Sequence, residues 1–233
     1  MSKPKAIYLI RHGESEGNVD ESLYKIMPDW KVNLTENGKS QAICAAKELC
    51  NDIAKDIDPG ATRMVGYSGY PGFQIQSVKP MFYISPWYRT RQTAQFLNIL
   101  GGTIYEDPRL REQEWGNYAE DHLVLKIEKE RKRFGSFYYR MPNGESGADV
   151  YDRITTFIDT LHRDFEKEDY PPYTVIVSHG LTIKAFLMRW FHWHAEDFDK
   201  YKTPKNCEII KMKLNEKMKY DLVTPLRVRP DDV

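Results

Sequence analysis

Ala6-Ile7-Tyr8-Leu9-Ile10-Arg11-His12-Gly13-Glu14-Ser15 passes from five apolar residues directly to five polar or small ones. A short apolar run rich in β-formers reads as a strand buried on both faces. Arg11 to Asn18 then leaves the sheet as a polar loop that carries glycine. Two later runs repeat the pattern. Met81 to Ile84 (M-F-Y-I) ends at Ser85-Pro86, and Tyr173 to Ser178 (Y-T-V-I-V-S) ends at His179-Gly180.

Amphipathic stretches lie between these runs. Thr35 precedes a helical segment from Lys39 to about Lys55, with Ala42, Ala46, Leu49 and Ile53 at helical spacing. A helix from about Tyr88 to Leu100 stops at Gly101-Gly102. A highly charged helix covers Glu120 to Phe134. Ser146-Gly147-Ala148-Asp149 has the form of a capping box. The helix behind it carries Val150, Ile154, Phe157, Ile158, Leu161 and Phe165 on one stripe. Leu181 to about Trp193 is a further helix, and Cys207 to Leu214 reads as a late, more amphipathic strand.

Alternating strands and helices predict an α/β fold, with a mostly parallel central sheet between two helical layers. Ligands in such folds sit beyond the carboxyl ends of the strands. The three strand ends therefore bring His12, His179 and several arginines to one edge. One domain over 1–233 is expected. Within it, 61–80 reads as a Gly/Tyr/Pro-rich insertion and 117–145 as a helical, cap-like insertion.

The chain has 233 residues and 34 basic against 34 acidic side chains, so no global charge points to nucleic acid or to an anionic membrane. Its three cysteines, Cys44, Cys50 and Cys207, form neither a disulfide framework nor a zinc motif. No apolar targeting segment precedes the first strand, and no run is long enough to span a membrane. A cytoplasmic location is expected.

The edge residues suit phosphoryl chemistry, which needs cationic donors around three oxygens, an in-line nucleophile and an acid for the leaving oxygen. His12 can attack as a neutral imidazole if its other ring nitrogen is held as a donor. Arg11 and Arg89 offer planar forks for phosphate oxygens. His179 and the Asn18 amide can donate further bonds. The helix beginning near Leu181 is expected to aim its N-terminus at the same anion.

Several of these segments resemble a known family. Leu9-Ile10-Arg11-His12-Gly13-Glu14-Ser15 matches the R-H-G motif of the histidine phosphatase superfamily. Ser85-Pro86-Trp87-Tyr88-Arg89-Thr90-Arg91-Gln92-Thr93-Ala94 is similar to its S-P-x-x-R-A-x-Q-T-A segment, with Thr90 in place of the usual Ala. Arg109-Leu110-Arg111-Glu112, Gly144-Glu145-Ser146 and Val177-Ser178-His179-Gly180 follow in the family's order. The resemblance is nearest to a plant and fungal branch named phosphoglycerate-mutase-like, and so implies a broad-range phosphatase. It makes His12 the nucleophile and assigns the phosphate pocket to Arg11, Asn18, Arg89 and His179. Glu112 becomes the group that protonates the leaving oxygen and then activates water.

Glu112 is preferred to Glu114 from its spacing after Arg109-Leu110. Glu145 fits a pocket rim and a helix-start role equally. Arg140, in the loop leading to Gly144, is a candidate substrate contact. The run Lys126 to Arg133 is read as a solvated face, and Tyr67, Tyr70 and Phe73 as either a lid or surface packing. His192 and His194, i,i+2 on one predicted helix, face apart and form no metal pair; neither metal nor cofactor is expected. The partner is a phosphorylated small molecule or phosphoprotein, and oligomeric state stays open. A bisphosphoglycerate-dependent mutase is the rival reaction. Gly17, where the mutase pattern carries Trp before its Asn, argues against it. A silent phosphate-binding module ranks last because His12, His179 and Arg89 are all present.

Overall fold

The computed structural model describes residues 3–58, 78–116 and 121–229, with the side chains of 121–124 excepted. Most of the 61–80 insertion, with Tyr67, Tyr70 and Phe73, lies outside the described residues. So do residues 117–120.

Six strands form one sheet: β1 (Ala6–Arg11), β2 (Met81–Ile84), β3 (Thr103–Glu106), β4 (Tyr173–Ser178), β5 (Ile209–Leu214) and β6 (Tyr220–Leu222). Their order is β3-β2-β4-β1-β5-β6. The β1–β4, β2–β4 and β2–β3 pairs are parallel, while β5 and β6 join antiparallel at one side. This is the expected mostly parallel sheet.

Residue alternation sorts the two core layers. Ile7 and Leu9 of β1 pack with α5 (Gly147–Phe165) and α6 (Gly180–Phe191). Ala6, Tyr8 and Ile10 face α2 (Glu36–Ile57) and α3 (Tyr88–Leu97). Each leucine or isoleucine among them, buried fully, contributes about 1.5–3 kcal/mol. The helix after β1 lies on one face and the helix after β4 on the other. The crevice where connections diverge thus opens between neighbouring strands, with Arg11 paired to Ser178 in register.

Caps set several helix starts. Thr35 Oγ1 accepts from Gly38 N at 2.9 Å, so α2 begins at Glu36, three residues before the apolar pattern indicates. Ser146 and Asp149 form the expected reciprocal box.

Other boundaries differ from expectation. β3 was not foreseen, because all four of its residues are exposed and it lies at the sheet edge. β5 starts at Ile209 because Cys207 takes a left-handed φ of 57°. His192 and His194 do not share a helix. His192 ends α6 at φ 54°, and His194 caps the short α7 (Ala195–Lys200). The charged segment forms α4 (Asp121–Phe134). Among the described residues no helix is long and apolar enough to cross a membrane.

Candidate active site

Three strand ends build the site at one level. His12 N continues the β1 ladder to Ser178 O at 3.0 Å, and Ser85 N reaches Val177 O at 3.0 Å. Gly13 is required by space. A Cβ there would fall 2.5 Å from Gly38 O, so the loop lies flat against the first turn of α2. Glu14 ties the same loop down by accepting from Thr35 Oγ1 and Asn37 Nδ2.

His12 is buried, and its tautomer follows from its neighbours. Nδ1 lies 2.7 Å from Gly13 O, a carbonyl that can only accept, so Nδ1 carries the proton. Nε2 therefore keeps its lone pair, and Arg89 Nε donates toward it at 3.3 Å. Burial first, then Arg89 and Arg11, hold the His12 pKa well below the ordinary 6.5.

Arg89 is also buried. Its Nη1 is fixed by Asp29 O at 2.8 Å and Asp29 Oδ1 at 2.7 Å, and its guanidinium lies over the Trp87 ring. His179 sits with its ring centroid 5.1 Å from that of His12 and shares a 2.8 Å hydrogen bond between its Nε2 and Ser85 Oγ. Burial, then Arg89 and His12, depress its pKa as well. Arg11 donates through Nη1 to Pro204 O at 2.9 Å. Arg11 Nε and His179 Nδ1 are buried and lack a hydrogen-bond partner among the described residues. Buried groups of this kind ordinarily find partners.

Asn18 belongs to α1 (Glu16–Val19), directly after the loop. Its Oδ1 accepts from Ser15 N at 3.2 Å and from Asn206 Nδ2 at 3.1 Å. Glu112 sits at the start of α6, whose N-cap is His179. Its carboxylate accepts from Leu181 N and Thr182 N at 3.1 Å each, and from Thr182 Oγ1 at 3.0 Å. Two of the first N–H groups of α6, those of Leu181 and Thr182, are thus occupied by Glu112. An acidic side chain is the natural occupant of that positive helix end.

Arg153 of α5 anchors the segment bearing Glu112, donating to Arg109 O and to Glu112 O. Glu145 takes the structural role. It accepts from Arg111 and Arg153 and from Glu114 N. Glu114 is half exposed beside Arg111 at 3.8 Å, and burial and then Glu145 push its carboxyl pKa up. Arg140 does not join the histidine network; it donates to Asp149 Oδ1 and Gly144 O at the start of α5. Arg131, from the charged run, stacks over Trp115.

Sequence reasoning missed Asp29, Tyr24, Arg153 and Asn206. No local signal linked Tyr24 to the site. A Cβ on Gly17 would fall 2.3 Å from the Tyr24 hydroxyl, so the residue that departs from the mutase pattern makes room for this ring. The charges of Asp29, Arg89 and Glu112 all bear on the phenol.

The depressed histidines set an acid response. Above pH 6.5 neither folded nor unfolded histidine is charged. Below it the unfolded rings bind protons while His12 and His179 do not, so stability falls toward their folded pKa. The expected slope is about 1.4 kcal/mol per pH unit for each histidine. Urea midpoints without phosphate at pH 7 and pH 5 check this; replacing both His12 and His179 should flatten the difference.

Comparison with known proteins identifies the family. A family model described as histidine phosphatase superfamily (branch 1) matches residues 7–57 and 69–222. Phosphoglycerate mutase-like protein AT74 of Arabidopsis thaliana is 38% identical over 94% of this chain and 68% of its own length. Broad-range acid phosphatase DET1 of Saccharomyces cerevisiae is 28% identical over 97% of this chain and 90% of its own. Among solved structures, mycobacterial glucosyl-3-phosphoglycerate phosphatase Rv2419c with VO3 superposes at TM-score 0.67, with 18% identity over 96% of this chain and 98% of that one. Bacillus stearothermophilus YhfR superposes at 0.66, with 20% identity over 94% and 95%. At these identities the two structures establish a shared fold.

Proposed function

The chain belongs to the histidine phosphatase superfamily (branch 1), and from that membership we propose that it is a broad-range phosphomonoester hydrolase acting through phosphohistidine at His12. The observation that carries the reading is a buried, neutral His12 whose Nδ1–H is pinned to Gly13 O while Nε2 faces Arg89. Arg11 Nε and His179 Nδ1, both buried and without a partner among the described residues, belong to the same cluster.

In the proposed cycle Nε2 attacks phosphorus and the ester P–O bond breaks. Glu112, entering the cycle protonated, gives its proton to the departing oxygen. Gly13 O holds the Nδ1 proton, which supports positive charge on the ring as the N–P bond forms. Arg11, Arg89, His179 and Asn18 hold the three phosphoryl oxygens. Glu112 then takes a proton from water, which attacks phosphorus and releases inorganic phosphate. The DET1 name, broad-range acid phosphatase, supports a phosphatase without a narrow leaving-group requirement. A panel of phosphomonoesters tests that breadth. Assay of 3-phosphoglycerate with and without 2,3-bisphosphoglycerate tests it against the mutase alternative, and isomerisation exceeding hydrolysis would overturn it.

The cationic work falls to arginine and histidine side chains, and the described residues contain no group of three or more His, Cys, Asp or Glu able to hold a metal ion. Thorough chelation is therefore expected to leave turnover of p-nitrophenyl phosphate unchanged. A rate that vanishes with chelator and returns with Mg²⁺ or Zn²⁺ would sink the assignment.

A further inference from the structure

Asn206 makes no bond to the groups that hold phosphate through their charges, yet it joins two parts of the pocket. Its Nδ2 donates to His12 O at 3.0 Å and to Asn18 Oδ1 at 3.1 Å. The loop around it is tied to the same strand end: Cys207 N donates to Arg11 O at 3.0 Å, and Pro204 O receives Arg11 Nη1.

We infer that Asn206 is a positioning residue that, together with the Ser15 N–H, fixes which end of the Asn18 amide meets the phosphoryl group. The inference rests on the phosphate-site reading given above. A carbonyl can only accept, so His12 O requires the amino end of Asn206. The second proton of that amino group then faces Asn18 and requires its oxygen. Ser15 N, which can only donate, makes the same demand at 3.2 Å. With both lone pairs of Asn18 Oδ1 occupied, its amino group is the end left to donate. It has no acceptor among the described residues, and Asn18 is exposed. An Asn18 turned the other way would place a carbonyl dipole against a phosphate dianion.

Inorganic phosphate titrated calorimetrically into the full chain tests this. Asn206→Ala is expected to weaken phosphate binding about 10-fold, the scale of one hydrogen bond to a charged group. Asn206→Asp should weaken it further, because Asn18 would turn its amino group toward the new carboxylate and its oxygen toward phosphate. In an Asn18→Ala background, Asn206→Ala should cost less than about 2-fold, since the residue it positions is gone. A purely structural role would give additive losses, and additivity with wild-type binding intact overturns the positioning role alone. If Asn206→Ala does not fold, the isosteric Asn206→Asp decides: wild-type affinity there overturns the proposal. A wild-type chain that binds no phosphate overturns it together with the site reading on which it rests.

Discussion

His12→Ala is expected to lower phosphomonoester turnover by about 10⁴-fold or more, as loss of a nucleophile does elsewhere, and to remove any covalent phosphoenzyme. The reason lies in the ring's two nitrogens. Nδ1 is committed to Gly13 O, so attack must come from Nε2. His179 cannot substitute, because its Nε2 is engaged with Ser85 Oγ and, among the described residues, no carbonyl fixes its tautomer. Arg11 and Arg89 remain in the variant, so inorganic phosphate should still bind, separating loss of chemistry from loss of the site. Trapping requires alkaline denaturation, because acid destroys an N–P bond. The depressed His12 pKa keeps the nucleophile neutral below pH 6.5, so phosphorylation should continue into mildly acidic solution. Label on serine or aspartate, or label that survives in His12→Ala, would assign the nucleophile elsewhere.

Glu112→Gln is expected to slow phosphorylation of the enzyme by about 10²- to 10⁴-fold with an alkyl phosphate, and far less with p-nitrophenyl phosphate. The difference follows from the leaving oxygen. An alkoxide needs a proton as it departs, whereas p-nitrophenolate scarcely does. Dephosphorylation should slow with both substrates, since water activation is lost too, so pre-steady-state bursts are the measurement to compare. Glu112 also accepts from Leu181 N and Thr182 N, so the amide variant disturbs the start of α6. Lost stability would lower both rates equally and cannot mimic dependence on the leaving group. Glu114→Gln is the control. Its carboxyl is half exposed and outside the α6 contacts, while Glu145 is held by Arg111 and Arg153. A leaving-group-dependent loss in Glu114→Gln, and none in Glu112→Gln, would exchange the two roles.

Neighbours on the α6 side show where sequence reading reached its limit. The α5 stripe and the Ser146 box were legible because helical spacing and capping are local. The start of α6 was legible too, but not its occupant: Glu112 lies 69 residues before Leu181, and no local pattern links them. Arg140 was placed in a loop near the site from its sequence position, but its partner was not legible: Asp149, nine residues on, engages its guanidinium. β3 escaped detection because an exposed edge strand carries no alternation of apolar and polar residues.

By itself the sequence determined the layered α/β class and the edge where Arg11, His12, Arg89 and His179 meet. Buried strands are short continuous apolar runs, and the polar residues at their ends mark the mouth of such a sheet. Only the tertiary structure decided the proton on His12 Nδ1, the occupant of the α6 N-terminus, the ring over Gly17 and the bridge from Asn206 to His12, 194 residues apart. Periodicity is a property of neighbours along the chain. The direction of a lone pair depends on which distant donor or carbonyl the strand order brings beside it.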